Sequence, residues 1–434
     1  MNLKKLLFIS SISFLTMGLL FANGSSEESD SKDMNEGPVT ISYYTWDDGC
    51  HQALIDEFNK THTDIQVDGH ILASADYETK LTTLLSGRAD IDAFMEKRQS
   101  DVFSQYENGY LEPLDSYIEA TGSKNQAVEN FKSAVTIDDG IYQLPWRGGA
   151  YFTYFNKNVF EKAGIPTPDT YVENGEWTWE KFEEVSKAIH AADSSLIGSS
   201  IYMWGSQAFF KAGQEGDSIV TADGKIDNIE NVVDILEMRK RLEDEGAMWN
   251  LIDMKVTKTH YSKQFYDGNL GMLLIGEWFP GQMVTGAADG LYDFDFEDWG
   301  ITRLPCDREP YYTVGLPTSN CITSYSKKKQ AAFEFINWMS GPEGSAIAAK
   351  YGVLPAASSE AAKQEIAKNL PDEKSVEYFL ENRNNNTANF SPYATRVETE
   401  FAKLQEDYLL GNLTTDEFRT EFIDSLEEII RTTY

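Results

Sequence analysis

The sequence is poor in cysteine and histidine. Three cysteines and five histidines are spread over 434 residues. Neither type recurs at the spacing of a metal site, and three cysteines allow at most one disulfide bond. We therefore predict no metal and no other cofactor, and we expect Cys50, Cys306 and Cys321 to be buried thiols.

Basic residues are also scarce relative to acidic ones. The chain has 37 lysines and arginines against 70 aspartates and glutamates, which gives a net charge of −33. Such a field repels nucleic acid and anionic membrane surfaces and keeps a protein soluble. We expect no nucleic-acid partner and a monomeric chain.

The common catalytic motifs are missing. The sequence contains no P-loop, no G-x-G-x-x-G and no G-x-S-x-G. A pair of carboxylates suited to glycoside hydrolysis carries no sequence signature, so an exported hydrolase acting on a polysaccharide remains an alternative. Because no residue stands out as catalytic, we expect a protein that is not an enzyme.

The N-terminal segment has the pattern of a secretory signal. Lys4 and Lys5 precede an apolar run over residues 6–21, which ends at the small residue Ala22. We expect cleavage after Ala22 and an acidic, serine-rich linker over 23–37, with an uncleaved membrane anchor as the alternative. No cysteine stands at the cleavage point, and the first in the chain is Cys50, so we expect an exported, periplasmic protein without a lipid.

Alternating strand and helix patterns follow the linker. They predict strands at 39–45, 65–71 and 90–95 and helices at 50–60 and 77–87. This order implies parallel strands, whose carboxyl ends are where such sheets bind ligands. The rule selects Trp46, Asp47 and Asp48 after the first strand, and Glu96, Lys97 and Arg98 after the third. The alternative is an aromatic packed at a strand end beside an aspartate that caps a helix.

A second set of elements begins near residue 153. The patterns predict a strand and short helix at 153–165, a helix capped by Thr178, a buried strand at 270–278, a helix at 330–344 stopped by Gly341-Pro342, and a C-terminal helix opened by a Thr414–Glu417 capping box. The chain is therefore predicted to be an α/β protein throughout.

The order of these segments resembles a known family. The carrying segments are ALIDEFNKTHTDIQV (53–67), YETKLTTLLSGRADID (77–92), NGYLEPLDSYI (108–118), DGIYQLPW (139–146), YFNKNVFEKAGIPTP (154–168), WTWEKFEEVSKAI (177–189), FYDGNLGMLLIGEW (265–278) and AAFEFINWMSGPEGSAIAAKYGVLPA (331–356). Together they resemble the family 1 extracellular solute-binding proteins of ABC importers, the group that includes maltose-binding protein. One departure is Ala89, where the family usually has proline.

The resemblance implies a two-lobe periplasmic-binding-protein fold. Each lobe would be a mostly parallel sheet flanked by helices, and the lobes would close on a ligand by hinge motion. Crossovers would fall near 146–152 and 305–314. Lobe 1 would contain 38–147 and 312–355, and lobe 2 would contain 148–311 and 356–434.

Aromatic residues make up 13% of the chain. Several stand alone at predicted strand ends or in glycine-rich loops, namely Trp46, Trp146, Tyr151, Trp204 and Trp278. The apolar face of a sugar stacks on such rings, and its hydroxyl rim needs charged or amide partners. The alternative for each ring is packing in a core or a crossover.

The resemblance also suggests individual ligand contacts. By similarity to maltose-binding protein, Trp278 matches a stacking ring, Asp47 and Asp48 fall in a first polar ligand loop, Glu96 and Arg98 lie near a second, and Tyr393 and Arg396 fall near a third contact region. Arg147, beside Trp146 in the first crossover, completes our set of candidate ligand-binding residues.

The expected function is capture of a solute outside the cytoplasm. The resemblance implies a binding protein that delivers a sugar or small oligosaccharide to ABC permease subunits in the inner membrane. A chemoreceptor or surface ligand-binding module on the same fold is a further alternative, because a fold does not fix a function. The sequence does not identify the solute, and relatives of similar length bind glycerol-phosphate-type compounds.

Overall fold

A computed structural model describes residues 37–216, 218–381, 384, 385 and 390–433. The predicted signal peptide and all of the predicted linker except Gly37 lie outside these residues. Within the described part of the chain, no helix combines the length and apolar character needed to cross a membrane.

Strands and helices alternate along the chain. The strands are β1 (Val39–Trp46), β2 (Ile65–Leu72), β3 (Ala93–Glu96), β4 (Thr136–Ile137), β5 (Gly140–Ile141), β6 (Leu144–Arg147), β7 (Tyr151–Asn156), β8 (Ile197–Ile201), β9 (Leu270–Gly276), β10 (Trp299–Thr302), β11 (Thr313–Val314), β12 (Thr318–Ile322) and β13 (Asn384–Asn385). The α-helices are α1 (His51–Thr61), α2 (Tyr77–Ser86), α3 (Val102–Glu107), α4 (Asp115–Ala120), α5 (Gln126–Asn130), α6 (Lys132–Val135), α7 (Lys157–Ala163), α8 (Pro168–Glu173), α9 (Trp179–Ala192), α10 (Phe210–Glu215), α11 (Ile229–Asp244), α12 (Leu251–Thr257), α13 (Tyr261–Tyr266), α14 (Phe279–Ala288), α15 (Lys329–Ser340), α16 (Pro342–Lys350), α17 (Glu360–Ala367), α18 (Glu373–Glu381), α19 (Ala394–Leu409) and α20 (Thr415–Thr433). Short 3-10 helices occur at Ser74–Asp76, Gln99–Asp101, Gly205–Phe209 and Phe296–Asp298.

The first sheet, which defines lobe 1, has the strand order β2-β1-β3-β12-β6. Strand β1 pairs in parallel with β2 and β3, and β12 runs antiparallel to β3 and β6. Helices α1, α2 and α15 bury their apolar faces with this sheet in one core, around residues such as Tyr43, Phe58 and Phe335.

The second sheet, which defines lobe 2, has the order β10-β7-β9-β8. Its central strand β9 reads LGMLLIG, and all seven residues are buried because the sheet is covered on both faces. Helices α7, α9, α11, α19 and α20 supply much of the covering apolar surface. The molecule therefore has the two-lobe α/β fold predicted from the sequence.

The expectation of mostly parallel sheets is confirmed, with one reversed strand in the sheet of each lobe. In lobe 1, β12 is antiparallel to both β3 and β6, so β6 runs in the same direction as β1, β2 and β3. In lobe 2, β7 is antiparallel to both β9 and β10, while β8 is parallel to β9. The reversed strands β7 and β12 each directly follow a crossing between the lobes, so no βαβ connection sets their direction.

Two predicted helix caps are confirmed. The Thr178 side chain accepts a hydrogen bond from the Lys181 amide at 3.1 Å at the start of α9. The Thr414 amide donates to the Glu417 carboxylate at 2.9 Å, and the Glu417 amide donates back to the Thr414 hydroxyl. Pro342 does end α15, but it also opens α16 at its first position, where its missing amide hydrogen costs nothing.

The chain passes between the sheets at residues 148–150 and again at 315–317. The first crossing lies inside the predicted range, and the second falls just beyond it. The crossings pack so closely that a Cβ on Gly149 would lie 1.8 Å from the Leu316 carbonyl oxygen, and both Gly149 and Gly315 have positive φ. Glycine is required here both for its backbone conformation and for its size.

All three cysteines are free thiols, as expected. Cys50 and Cys321 are buried in the core of lobe 1. Cys306 is only half-buried, and its thiol donates to the Arg308 carbonyl oxygen at 3.5 Å. The expectation of burial therefore holds for two of the three.

Candidate ligand-binding site

A cleft of about 1220 Å³ lies between the two lobes. On the lobe 1 side it meets the residues that follow β1, β3 and β6. On the lobe 2 side it meets the residues that follow β8 and β9 and the first residue of β7, which runs antiparallel to β9. The cleft thus lies outside the strand ends of both sheets, where ligands bind in α/β proteins.

The lobe 1 wall begins directly after β1. Trp46 is buried against Tyr77 and carries the Lys97 ammonium 5.6 Å from its ring centroid. Asp47 is exposed to the cleft, and its carboxylate accepts a hydrogen bond from the Gly49 amide at 3.2 Å. This wall therefore presents the Asp47 carboxylate to the cleft beside the Trp46 ring.

The Asp48 carboxylate is held in place by His51 and Arg147, which both favour its ionised form. Its carboxylate lies 2.6 Å from His51 Nδ1 and 3.6 Å from an Arg147 guanidinium nitrogen. Burial by itself would raise the pKa of Asp48, but His51 and Arg147 outweigh it and lower that pKa to about 2. Asp48 is therefore ionised at neutral pH and accepts hydrogen bonds.

Arg147 connects the two lobes at the floor of the cleft. It ends β6 in lobe 1, and its Nε lies 2.8 Å from the carboxylate of Glu277, which follows β9 in lobe 2. Both side chains are buried, and the guanidinium also lies over the Trp278 ring at 5.8 Å. A single cation thus holds carboxylates from both lobes and supports an aromatic ring of the cleft.

Asp48, Cys50 and His51 are close enough to be considered as metal ligands, since their donor atoms all lie within 4.8 Å of one another. The surroundings argue against a cation. Arg147 already neutralises Asp48, and the three residues lie at the amino end of α1, whose dipole repels positive charge. We interpret the group as a hydrogen-bonded support for Asp48.

The lobe 2 wall is built of aromatic rings. Trp278 is the residue directly before α14, and its indole nitrogen donates to the Tyr261 hydroxyl at 2.9 Å. Tyr151 meets the Trp278 ring edge-on at 5.6 Å, and Trp204 lies 5.9 Å away on another side. Trp204 is 39% exposed, which is unusual for a tryptophan and leaves one face open to the cleft.

Tyr261 has polar capacity left for a ligand. Its hydroxyl oxygen accepts hydrogen bonds from Trp278 and from the Gln282 amide at 2.8 Å. Burial raises the pKa of Tyr261 to about 12, so the phenol keeps its proton and can donate it.

Residues 51–346 match the protein family described as "Bacterial extracellular solute-binding protein". The chain belongs to this family. A binding protein of Brucella abortus (strain 2308) is 23% identical over 328 residues, which cover 71% of this chain and 73% of that protein. The mannitol-binding protein of Pseudomonas aeruginosa is 22% identical over 147 residues, 34% of this chain and 32% of that protein.

Solved structures share the fold of this solute-binding protein. A sugar transporter from Rhizobium etli in an open conformation superposes with a TM-score of 0.75 at 24% identity, covering 90% of this chain and 99% of the other. An ABC substrate-binding protein from Listeria monocytogenes in complex with cycloalternan also gives 0.75 at 24% identity, with 91% and 99% covered.

Eight of the twelve ligand-binding candidates of this solute-binding protein line the cleft. They are Trp46, Asp47, Asp48, Arg98, Arg147, Tyr151, Trp204 and Trp278. Arg98 follows β3 and is about half exposed, with Asp101 as an ion-pair partner at 3.9 Å. The sequence predicts these eight residues from their places at the ends of strands and from the family resemblance.

The other four candidates do not line the cleft. Glu96 is buried and accepts hydrogen bonds from the Arg98 amide at 2.9 Å and from Gln105. Trp146 packs on His51, and Tyr393 is buried in the core of lobe 2. Arg396 turns toward the end of α20, where it donates to Thr433 at 2.9 Å.

The sequence reasoning missed Glu277, Tyr261 and Glu398, which all line the cleft. Glu277 follows a wholly apolar strand, and a charge at that point is a usable signal. Tyr261 carries no such signal, because its place depends on how α13 packs. The pattern of α19 buries Ala394, Val397 and Phe401, which leaves Glu398 on a neighbouring face.

Proposed function

We propose that the protein is the extracytoplasmic binding component of an ABC importer and that it captures a sugar or small oligosaccharide in the cleft. The supporting observation is the pairing of walls with different chemistry. Lobe 2 offers the rings of Trp278, Trp204 and Tyr151, while lobe 1 offers Asp47, Asp48 and Arg98. Rings suit the apolar face of a pyranose, and charged groups suit its hydroxyl rim.

The size of the cleft favours an oligosaccharide over a single sugar. Small-molecule sites usually enclose about 300–1,000 Å³, and this cleft is slightly larger. Structural neighbours include proteins in complex with cycloalternan, with β-1,6-galactobiose and with tagatose. These ligands define the first compounds to test.

The remaining parts of the proposal concern processing and partners. The protein is exported to the periplasm with its signal removed after Ala22, acts as a monomer, and passes its ligand unchanged to permease subunits in the membrane. The two crossings let residues 38–147 and 318–355 move against the rest of the chain, so the second boundary lies a few residues after the start at 312 that the sequence predicts.

A thermal-shift screen over mono- and oligosaccharides tests the ligand class, with glycerol phosphate and amino acids as non-sugar comparisons. A ligand at about 100 times its Kd adds roughly 2.7 kcal/mol of stability, which is easily detected. We expect at least one sugar and no comparison compound to raise the melting temperature. A shift with the comparison compounds alone would contradict the sugar assignment.

A second measurement separates the importer component from the hydrolase alternative. The sugar that raises the melting temperature is incubated with the protein for a day, released by denaturation and chromatographed. We expect it to be recovered chemically intact. Recovery of shorter fragments would identify a hydrolase instead.

A further inference from the structure

The lobes touch at a second place, away from the crossings. The Thr395 hydroxyl of α19 donates to the Ser100 carbonyl oxygen of lobe 1 at 2.9 Å and lies 3.4 Å from the Asp101 carboxylate. Beside it, the rings of Phe103 and Phe390 are 4.7 Å apart. Because α19 packs mainly on α20 and on the Gly205–Phe209 segment of lobe 2, this contact joins a helix of lobe 2 to the segment after β3.

Carboxylates crowd this contact from both sides. Glu398, one turn beyond Thr395, faces Asp101 and Arg98 of lobe 1, and Asp101 in turn faces Glu96. The Arg98 guanidinium forms an ion pair with the Asp101 carboxylate at 3.9 Å and also attracts Glu398. Asp101 and Glu398 therefore share one guanidinium where the lobes meet, and Glu96 is a third carboxylate beside them.

Burial makes the crowding costly when these groups are ionised. Burial raises the pKa of Glu398 to about 7, and Arg98 opposes this change by more than the Asp101 charge adds to it. Burial and Asp101 likewise raise the pKa of Glu96 to about 8. The pKa of Asp101 is also raised by burial, despite Arg98.

Other charges near the contact are engaged elsewhere. Glu78 adds repulsion toward Asp101, and its cation partner Lys97 is 3.4 Å away and also binds Ser74. Tyr151 of β7 also faces Glu398. Burial raises the pKa of Tyr151, and the Glu398 charge raises it further, so the phenol is neutral.

The helices packed on α19 direct their cations away from Glu398. Lys255 of α12 pairs with Glu406, and Lys240 of α11 reaches the Leu409 carbonyl oxygen, both farther along α19. Arg396 reaches α20, and the Gly205–Phe209 segment carries no charged side chain.

We propose that this contact makes lobe closure favoured by acid, so that the cleft opens as pH rises through neutrality. When the lobes part, water reaches Glu398 and its ionised form is no longer penalised. A carboxyl whose pKa is higher in the closed state stabilises that state fully below its ordinary value near 4.5. That stabilisation is lost as pH rises from there through about 7. The consequence for ligand capture rests on the proposed function, whereas the closure itself does not.

Small-angle scattering of the free mature protein, without any sugar, tests the proposal between about pH 5 and about pH 8. We expect the closure equilibrium constant to fall by roughly tenfold or more over this range and the radius of gyration to rise. Glu398→Gln keeps the shape and removes the titrating carboxyl that α19 brings to the contact, so its radius should change much less over this range than that of the parent protein. Glu400→Gln removes the same charge from an exposed site on the same helix, where Glu400 pairs with Lys403 at 2.8 Å, and should behave like the parent protein.

Circular dichroism recorded on the same samples separates closure from unfolding. A parent radius that does not change with pH while the protein stays folded would overturn the proposal. An equal pH response in Glu398→Gln would overturn it as well. Failure of every sugar in the thermal-shift screen would remove the sugar assignment but leave this result intact, so the two proposals fail separately.

Discussion

At the scale of single residues, the site depends on groups that are tied to one another before any ligand arrives. Trp278 is oriented by its hydrogen bond to Tyr261 and by the Arg147 guanidinium over its ring. Asp48 is oriented by His51 and by the same arginine. Such fixed side chains lose little conformational entropy on binding, which favours affinity.

Trp278→Ala should weaken sugar binding by about 1–3 kcal/mol, because a stacking face for the ligand is removed. Titration calorimetry with the sugar found by the thermal-shift screen measures this, and a melting curve checks the fold. Trp338→Ala, at a half-buried tryptophan that packs on Phe58 and does not line the cleft, is the matched control and should bind normally. Unchanged affinity in a strongly destabilised Trp278→Ala would make Trp278 a core residue.

Arg147→Met should lower the free energy of unfolding by about 3–5 kcal/mol, because Glu277 would be left as a buried charge without its partner. The double variant Arg147→Met, Glu277→Met should recover much of this loss, since neither charge remains. Urea unfolding measures both, and Lys403→Met provides an exposed control. A double variant as unstable as Arg147→Met alone would show that the loss is not caused by the unpaired carboxylate.

At the scale of elements, the crossings between lobes are the most constrained segments. The Gly148 amide donates to the Leu354 carbonyl oxygen at 2.8 Å, so the segment before residue 356 lies against the first crossing. Gly149 and Gly315 then bring the two crossings into backbone contact. Crossings packed this closely are expected to act as a hinge when the lobes move.

Gly149→Ala should destabilise the protein by about 1–3 kcal/mol beyond the cost of a positive φ, because its Cβ would collide with the second crossing. Gly164→Ala is the control, since Gly164 also has positive φ but its Cβ would point into open space. Chemical denaturation compares the two. Equal losses would show that the crossings are not packed as described.

At the scale of the whole molecule, the sequence predicts the two-lobe fold and much of the cleft. Periodic patterns locate β1, α1, β2 and α2 within a residue or two, because each element is long enough to show its own period. The short strands β6, β10 and β12 carry too few residues for a pattern, and tertiary pairing alone fixes their direction. The candidate site residues that follow the long strands were predictable as well, because the period of a long strand also locates its end.

The third contact region depends on packing that the sequence does not show. The family resemblance implies contacts at Tyr393 and Arg396, whereas the residues of this segment that line the cleft are Thr395, Glu398 and Thr399. An error of one or two positions on a helix changes the face by roughly 100° per residue. Only the packing of α19 on its neighbours fixes that face.

Ligand should bring the lobes together while each core stays unchanged. Small-angle scattering at constant pH, with and without a saturating sugar, should show a smaller radius of gyration in the bound state. The Gly164→Ala protein provides a control for nonspecific effects of sequence change. Equal radii in both states would count against closure on the ligand.

We expect a sugar to bind between the aromatic wall of lobe 2 and the charged wall of lobe 1. A crystal structure of the protein with the sugar that most raises its melting temperature would show this directly. We expect a pyranose face stacked on Trp278 or Trp204, with hydroxyls bonded to Asp47, Asp48 or Arg98. A sugar bound outside the cleft, or one in the cleft without contact to either tryptophan, would contradict it.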